Sequence, residues 1–528
     1  MKTRLSLVMI VRDEAEMAPE FLESVREGLW DELLVVDTGS QDGTPALFEA
    51  AGARVLHHEW HDDFAEARNV GLEAVTGDWV LVLDADERPS DQFVAEFRKR
   101  LDDPALGALT ISMSNALPYG HRRESRLLRA WRSDPAIRFR HAIHEDASAA
   151  VAQMLIRTQR TLGSVSAPVE HLGYVRTRAA AKDKKARDLK ILRACIADDP
   201  FDFYSRFKML ELARYWHDGV LWEQSARETT DALEQAGRHA LEGEPWGGEL
   251  IALIAEGLFR PDSPAGLMFL DGWAQRLVPA PPFFYRRGVA HEHLGQLDEA
   301  RLDYERCLSF GDALGDLQLS GVRPTLGLAR VAISEGAIAD AVRFAKEAVA
   351  YAPRDPEALV AAATLTRSLE GPHGLADWEA HHRSEHPSCP ERDWAIGEAL
   401  YTLGDFESAV TKLRVAAGVP PAGPAGVRLA QALLASGELE SAETTCRVVL
   451  PSDSEAGLGL LLFDLVRGRD SELDLDLTPQ TANAAMKHWV DALLASRIAS
   501  LKGLLTKNAG AVSELFPWLN DYLGRKAS

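Results

Sequence analysis

Two aspartates one residue apart close the apolar run LVLDADE at residues 81 to 87: Asp84 and Asp86, with Glu87 behind them. Carboxylates this close repel one another unless something positive sits among them. At the mouth of a buried strand they can share Mg²⁺ or Mn²⁺ and leave coordination positions for water and substrate phosphate oxygens. A solvated turn capping a helix is the plain alternative, and Asp-x-Asp alone does not separate the two. HHEWHDD, residues 57 to 63, offers His57, His58, Glu59 and His61 in a pattern that looks like a zinc cluster. If residues 53 to 58 form a strand, His57 and His58 point to opposite faces and cannot chelate one ion together. The expectation there is a loop packed by Trp60 and Phe64. Further on, RFRHAIHEDA sets His144 beside Glu145, and VEHLGY puts His171 after an apolar run.

The elements that would position these groups alternate regularly. Apolar runs at 5 to 11, 32 to 37, 53 to 58, 79 to 84 and 108 to 113 are separated by helix-like segments near 17 to 27, 44 to 51, 64 to 75 and 90 to 101. That alternation predicts a mostly parallel, Rossmann-like sheet covered on both faces, with ligands beyond the C-terminal strand ends. The charged groups stand at those ends: Arg12-Asp13-Glu14, Asp37 to Thr44, and Asp84 to Glu87. Neither Gly-x-Gly-x-x-Gly nor Gly-Lys-Ser/Thr follows the first strand, so a phosphate-bearing ligand must be held in another way.

At 528 residues the chain exceeds one ordinary core. Its formal net charge of −22 argues against a nucleic-acid-coating protein. The four cysteines, Cys195, Cys307, Cys389 and Cys446, contain no Cys-x-x-Cys and suggest neither a zinc ribbon nor a disulfide framework. A reducing cytoplasm fits. The run LSLVMIV after Lys2 and Arg4 looks like a signal peptide but stops at Arg12, and a buried strand explains it better. No stretch reaches the roughly 20 apolar residues that span a bilayer.

SLVMIVRDEAEMAPEFLESV, LLVVDTGSQDGT and FAEARNVGLEAVTGDWVLVLDADE together resemble the start of the family 2 glycosyltransferases, which have the GT-A fold; the likeness runs over roughly residues 4 to 175. The resemblance implies inverting transfer of a sugar from a nucleoside diphosphate donor, a UDP-sugar being favoured, with Mn²⁺ or Mg²⁺ holding the diphosphate. By the same resemblance Val11, Arg12, Glu14 and Asp37 lie beside the base and ribose, and Arg68 near the donor phosphates or sugar, a surface ion pair being the alternative for Arg68. Asn69 and Gly71 are structural. Asp84 sits near ribose or metal, Asp86 ligates the metal, and His171 is its last protein ligand. The His144-Glu145 segment is similar to that of the branch with lipopolysaccharide-core glucosyltransferases and the sublancin-type peptide glycosyltransferase. Inversion needs a base for the acceptor proton; Glu145 is the first choice, His144 oriented by Glu145 the second, and a structural His-Glu pair the plain alternative. Lys182 and Lys185, in the basic run Arg176 to Arg187, could close over the diphosphate, although a solvated helix face explains such a run equally.

After about residue 195 helices dominate. HLGQLDEARLDYERCL, SEGAIADAVRFAKEAV, TLGDFESAVTKLRVAA and ASGELESAETTCRVVL repeat one helix-turn-helix form, near the ~34-residue tetratricopeptide period. Weaker turns are expected at Gly219, Gly257 and Gly371. The predicted division is a transferase domain at 1 to 195, tetratricopeptide-like repeats at 196 to 478 and a helical cap at 479 to 528. The repeats would recruit a protein or peptide acceptor or support a homodimer. A saccharide or lipopolysaccharide acceptor, and a scaffold with an inactive transferase half, are the competing expectations.

Overall fold

LSLVMIV is apolar except for Ser6, as a strand covered on both faces must be. It forms β1 (Leu5–Val11), buried at every position but Ile10. In this computed structural model the described residues are all except 1–2, 26–27, 117–121, 173–177, 312–314, 317, 388, 468–478, 497–517, 519–521 and 523–528. They fall into two units, Met1–Pro324 and Thr325–Ser528.

In the first unit the expected alternation is present: β1, α1 (Ala18–Ser24), β2 (Glu32–Asp37), α2 (Thr44–Ala50), β3 (Arg54–His57), α3 (Phe64–Glu73), β4 (Trp79–Val82), β5 (Glu87–Pro89) and α4 (Asp91–Leu101). Then come β6 (Leu106–Ala116), β7 (Arg122–Arg132), α5 (Ser148–Thr158) and β8 (Thr161–His171). The strand order is β3-β2-β1-β4-β7-β6-β8-β5. β3, β2, β1 and β4 run parallel. Beyond β4 the sheet is mixed, since β7 is antiparallel to both β4 and β6 while β6 and β8 are parallel. Ser90 and Asp63 cap α4 and α3 by accepting from Phe93 N–H and Glu66 N–H, the hydrogen bonds an N-cap side chain supplies.

Chain order reverses at β1, between β2 and β4, which opens a crevice beyond the strand ends. Three of the acidic candidates stand along it or just past it: Asp37 ends β2, and Asp84 and Asp86 follow β4.

The helices α6 (Arg178–Asp198), α7 (Phe203–Tyr215) and α8 (Gly219–Ala236) continue the same unit. The predicted boundary between residues 195 and 196 runs through one apolar cluster, in which Ile143, Ile191 and Leu192 pack with Met209 and Leu212. Strand structure does not end there either. Gly315–Asp316 forms β9, paired with Arg126 and Ser125 of β7, a segment too short to announce itself by alternation.

The helix pairs fall at the repeated form. Pro281–His293 and Leu297–Leu308 turn at Gly295 (φ +74°). In the second unit Pro390–Thr402 and Phe406–Ala417 turn at Gly404, and Gly423–Ser436 and Leu439–Val449 turn at Gly437. Gly371 breaks the long segment Pro356–Glu385 with φ +73°, and Gly219 opens α8. Gly257 is not a turn: it lies inside the helix Gly247–Leu258, where a Cβ would stand 2.8 Å from the Trp222 ring. In the closing segment Trp489 is buried, and Trp518 donates to Asn483 at 2.8 Å. All four cysteines are free thiols. Among the described residues no helix is long and apolar enough to cross a membrane.

The helix carrying Arg68 is seated by its glycine. A Cβ on Gly71 would lie 2.6 Å from Val8 Cγ1 and 3.2 Å from Val36 Cγ2, both on buried strand interiors that cannot yield. Gly71→Ala should therefore lower stability by about 1–3 kcal/mol, the range for overpacking, as read by thermal unfolding; wild-type stability in this variant would contradict the packing.

Candidate functional site

The sheet register aligns three strand-end residues. Val11 pairs with Asp37, and Asp37 with His57. Two loops then lock together: Asp13 N–H donates to Ser40 Oγ (2.9 Å), Glu14 N–H to Thr44 Oγ1 (2.8 Å), and Gln41 N–H to Asp13 Oδ1 (2.7 Å). Gly39 and Gly43 take left-handed backbone here, φ +102° and +86°, which glycine adopts without strain. The buried Asp37 accepts from Gly39 and Ser40 N–H (3.4 and 3.2 Å) and stands 3.3 Å from His57 Nδ1. Arg12 is exposed at the rim.

Arg68, on the buried face of α3, is the centre of the second cluster. Its Nη2 donates to Asp84 Oδ1 at 2.9 Å and its Nε pairs with Glu145 Oε1. Nη1 is enclosed without a hydrogen-bond partner, and the guanidinium lies 5.7 Å from the centre of the Phe139 ring. Burial alone would disfavour its charge, but Asp84 and Glu145 hold it more firmly cationic than an ordinary arginine. Asp84 is half-buried; Arg68 and Arg129 outweigh the cost of that burial and hold its carboxyl at about 2.

The neighbour Asn69 explains the rest of the Arg-Asn pair. Its side chain accepts from Phe139 N–H (2.8 Å) and donates to Phe139 C=O (3.0 Å), while Phe64 N–H at the start of α3 donates to Ala142 C=O (2.7 Å). Asn69 thus clamps the loop carrying His144 and Glu145 onto α3. That loop is closed by reciprocal backbone bonds between Arg140 and Asp146. It contains two left-handed residues, His141 (φ +71°) and His144 (φ +55°). From the helical side, Tyr204 on α7 donates its hydroxyl to His144 C=O at 2.6 Å and stacks on His141 with ring centres 3.7 Å apart.

Arg129 on β7, absent from the sequence reading, bonds Glu87 at 2.9 Å and stands 3.7 Å from Asp84. The one hint was a cation between Leu128 and Ala130 in a strand. Burial raises Glu87 to about 7, against the pull of Arg129 and with the help of Asp84.

Asp86 and His171 approach to 3.4 Å. Burial works against the His171 imidazolium, but the bond to Asp86 and the charges of Glu87 and Asp84 raise its pKa. A carboxylate and an imidazole suit Mn²⁺ in donor type, and Asp86 with His171 could hold such an ion. Asp84 faces Arg68 and Arg129 instead. Lys185 binds Asp218 at 3.0 Å, at the cap of α8, and is not brought to this cluster. Lys182 lies on α6, but its side chain falls outside the described residues, as do Gly173 to Arg176. His57 and His58 face opposite ways, toward Asp37 and Glu66, and Trp60 packs edge-on to Phe64 at 4.7 Å.

The Glu87 carboxyl fixes a pH dependence. With its folded value above the ordinary 4.5, its contribution to stability is complete below pH 4.5 and is lost as pH rises through 7. Glu87→Gln should therefore gain in melting temperature over the wild type between about pH 5 and about pH 8. A constant difference across that window in calorimetry would show that burial does not govern this group.

Residues 6–153 match the family model of glycosyl transferase family 2, and residues 281–310 that of the tetratricopeptide repeat. A TPR repeat-containing protein of Synechococcus elongatus is 42% identical over 207 residues, 38% of this chain and 50% of that one. The prophage-derived glycosyltransferase SunS of Bacillus subtilis is 30% identical over 80 residues, 15% of this chain and 19% of that one. The chain thus spans half or less of the length of these relatives. Among solved structures, glucosyl-3-phosphoglycerate synthase from Mycobacterium tuberculosis, in complex with Mn²⁺, UDP and glucosyl-3-phosphoglycerate, overlaps 37% of this chain and 79% of its own, at 17% identity and TM-score 0.28. An overlap at that score supports no functional argument. The two family matches thus place a likeness to glycosyl transferase family 2 at residues 6–153 and a likeness to the tetratricopeptide repeat at residues 281–310 of one chain.

Proposed function

We propose that the chain is an inverting, metal-dependent glycosyltransferase that moves a sugar from a nucleoside diphosphate donor, a UDP-sugar above others, to a protein or peptide acceptor. The observation that carries this reading is the enclosed Arg68, fixed by Asp84 and Glu145 with Nη1 unpaired, beside the Asp86–His171 pair and beyond the end of β4. An unpaired buried donor on a cation is a place for an anionic oxygen.

Val11, Arg12, Glu14 and Asp37 border the base and ribose. Arg68 meets the diphosphate, and preorganised charge at that point stabilises what develops as the sugar leaves. Asp86 and His171 would hold a Mn²⁺ or Mg²⁺ ion, which when bound neutralises the diphosphate. Glu145 is engaged by Arg68 through Oε1, and it takes the acceptor proton from the face opposite the leaving group. His144, exposed and next to it, is the alternative base. The repeats recruit the acceptor, and the bond from Tyr204 ties the first of these helices to the loop bearing the base.

The metal role predicts that Asp86→Ala abolishes release of nucleoside diphosphate in a donor screen run with and without Mn²⁺; full activity in that variant or in excess chelator would sink it. For the base, Glu145→Gln should retain donor binding while transfer falls by roughly 10²–10⁴, the range for general base catalysis. Transfer lost only in His144→Ala would reassign the role. Tyr204→Phe should slow transfer by up to about 100-fold, as small misplacements of a catalytic group do, with donor affinity unchanged. Undiminished transfer would leave α7 a passive neighbour.

A further inference from the structure

Between the end of β3 and the first turn of α3, three side chains converge so that one ligand atom from each lies within 4.8 Å of the others: His58, His61 and Glu66. Opposite facing removes His57 from the group, yet the chain leaves the strand after His57 and turns at Asp62 (φ +59°). His61 comes back beside His58, their ring centres 5.6 Å apart. His61 Nδ1 lies 3.1 Å from both Glu66 oxygens. His58 Nε2 lies 3.6 Å from Glu66 Oε1 and is enclosed without a hydrogen-bond partner.

An ion pair between His61 and Glu66 accounts for two of these groups. It leaves the enclosed His58 nitrogen unsatisfied, which buried polar atoms rarely are. A cation among them accounts for all three. A tetrahedral ion with bonds of about 2.1 Å sets its ligand atoms about 3.4 Å apart, and the two separations from the Glu66 carboxylate bracket that value. Two imidazoles and a carboxylate select the zinc class over Mg²⁺, which prefers an all-oxygen shell.

We propose that His58 Nε2, His61 Nδ1 and the Glu66 carboxylate form a zinc-class cation site, with the fourth position open to water. The site is separate from the Asp86–His171 pair. Its ion would fasten the loop 58–63 to α3 two residues before Arg68, so its effect is on the rigidity of the helix that presents that guanidinium.

The test uses the full chain without a polyhistidine tag, stripped by chelator and titrated with Zn²⁺ against a chromogenic competitor. His61→Ala and Glu66→Ala remove exposed side chains and leave the core intact. The expected result is one tight Zn²⁺ per chain, weakened at least about tenfold in both variants and retained in Asp86→Ala. Zn²⁺ should also raise the melting temperature of the wild type but not of His61→Ala, since a ligand of the folded state stabilises it. No binding at micromolar Zn²⁺, or equal affinity in His61→Ala, would overturn the proposal. Loss in Asp86→Ala would also overturn it, by assigning the ion to the other pair.

Discussion

A guanidinium with almost no access to water must be neutralised where it stands, and Arg68 is neutralised by two carboxylates from distant parts of the chain, Asp84 and Glu145. Removing one partner of such a buried pair leaves an uncompensated charge and costs about 3–5 kcal/mol. The constraint draws together the end of β4, the start of α3 and the loop at 138 to 147. Around it the other contacts fall into place: Asn69 fixes the backbone of that loop, Gly71 lets α3 lie against β1 and β2, and Arg129 relieves the Asp84–Glu87 side.

The same loop ties the sheet to the helices. Its carbonyl at His144 is taken by Tyr204, His141 stacks on the same ring, and Ile143 is buried with Leu192, Met209 and Leu212. A chain ending near residue 200 would lose Tyr204, Met209 and Leu212 together. The sheet also receives β9 from residues 315 and 316. The first helices are therefore part of the structure that shapes the loop, and a cut made on sequence pattern alone would fall inside a core.

Much of this was legible in the sequence. Continuous apolar runs placed β1, β2 and β4 within a few residues, because strands covered on both faces are apolar almost throughout, whereas β3, with Arg54 and His57 exposed, and α1 to α4 were placed by spacing. The turn glycines marked several of the helix pairs, since a left-handed residue there strongly favours glycine. Asp84, Arg68 and Glu145 were legible as separate candidates through the family resemblance, but their mutual pairing was not: contacts across 16 and 77 residues carry no periodicity. Arg129 and Tyr204 were missed for the same reason, each acting at long range from an element of ordinary composition. In HHEWHDD the strand ends at His57, so alternation reaches neither His58 nor His61, which returns because the loop turns at Asp62. Lys185 shows the converse, a charge in a suggestive run whose nearest acid is a helix cap.

If Arg68 is the fixed cation that receives the donor diphosphate, its forked geometry matters as well as its charge. Equilibrium titration of UDP with Mn²⁺ into the wild type and into Arg68→Lys, with circular dichroism showing that the variant is folded, separates these directly. The account predicts at least about tenfold weaker UDP binding in the variant, a loss of about 1.4 kcal/mol, because a single ammonium nitrogen cannot reproduce the planar fork that meets Asp84 and Glu145 from separate nitrogens and leaves Nη1 for the donor. Equal affinity in a folded Arg68→Lys chain would contradict it.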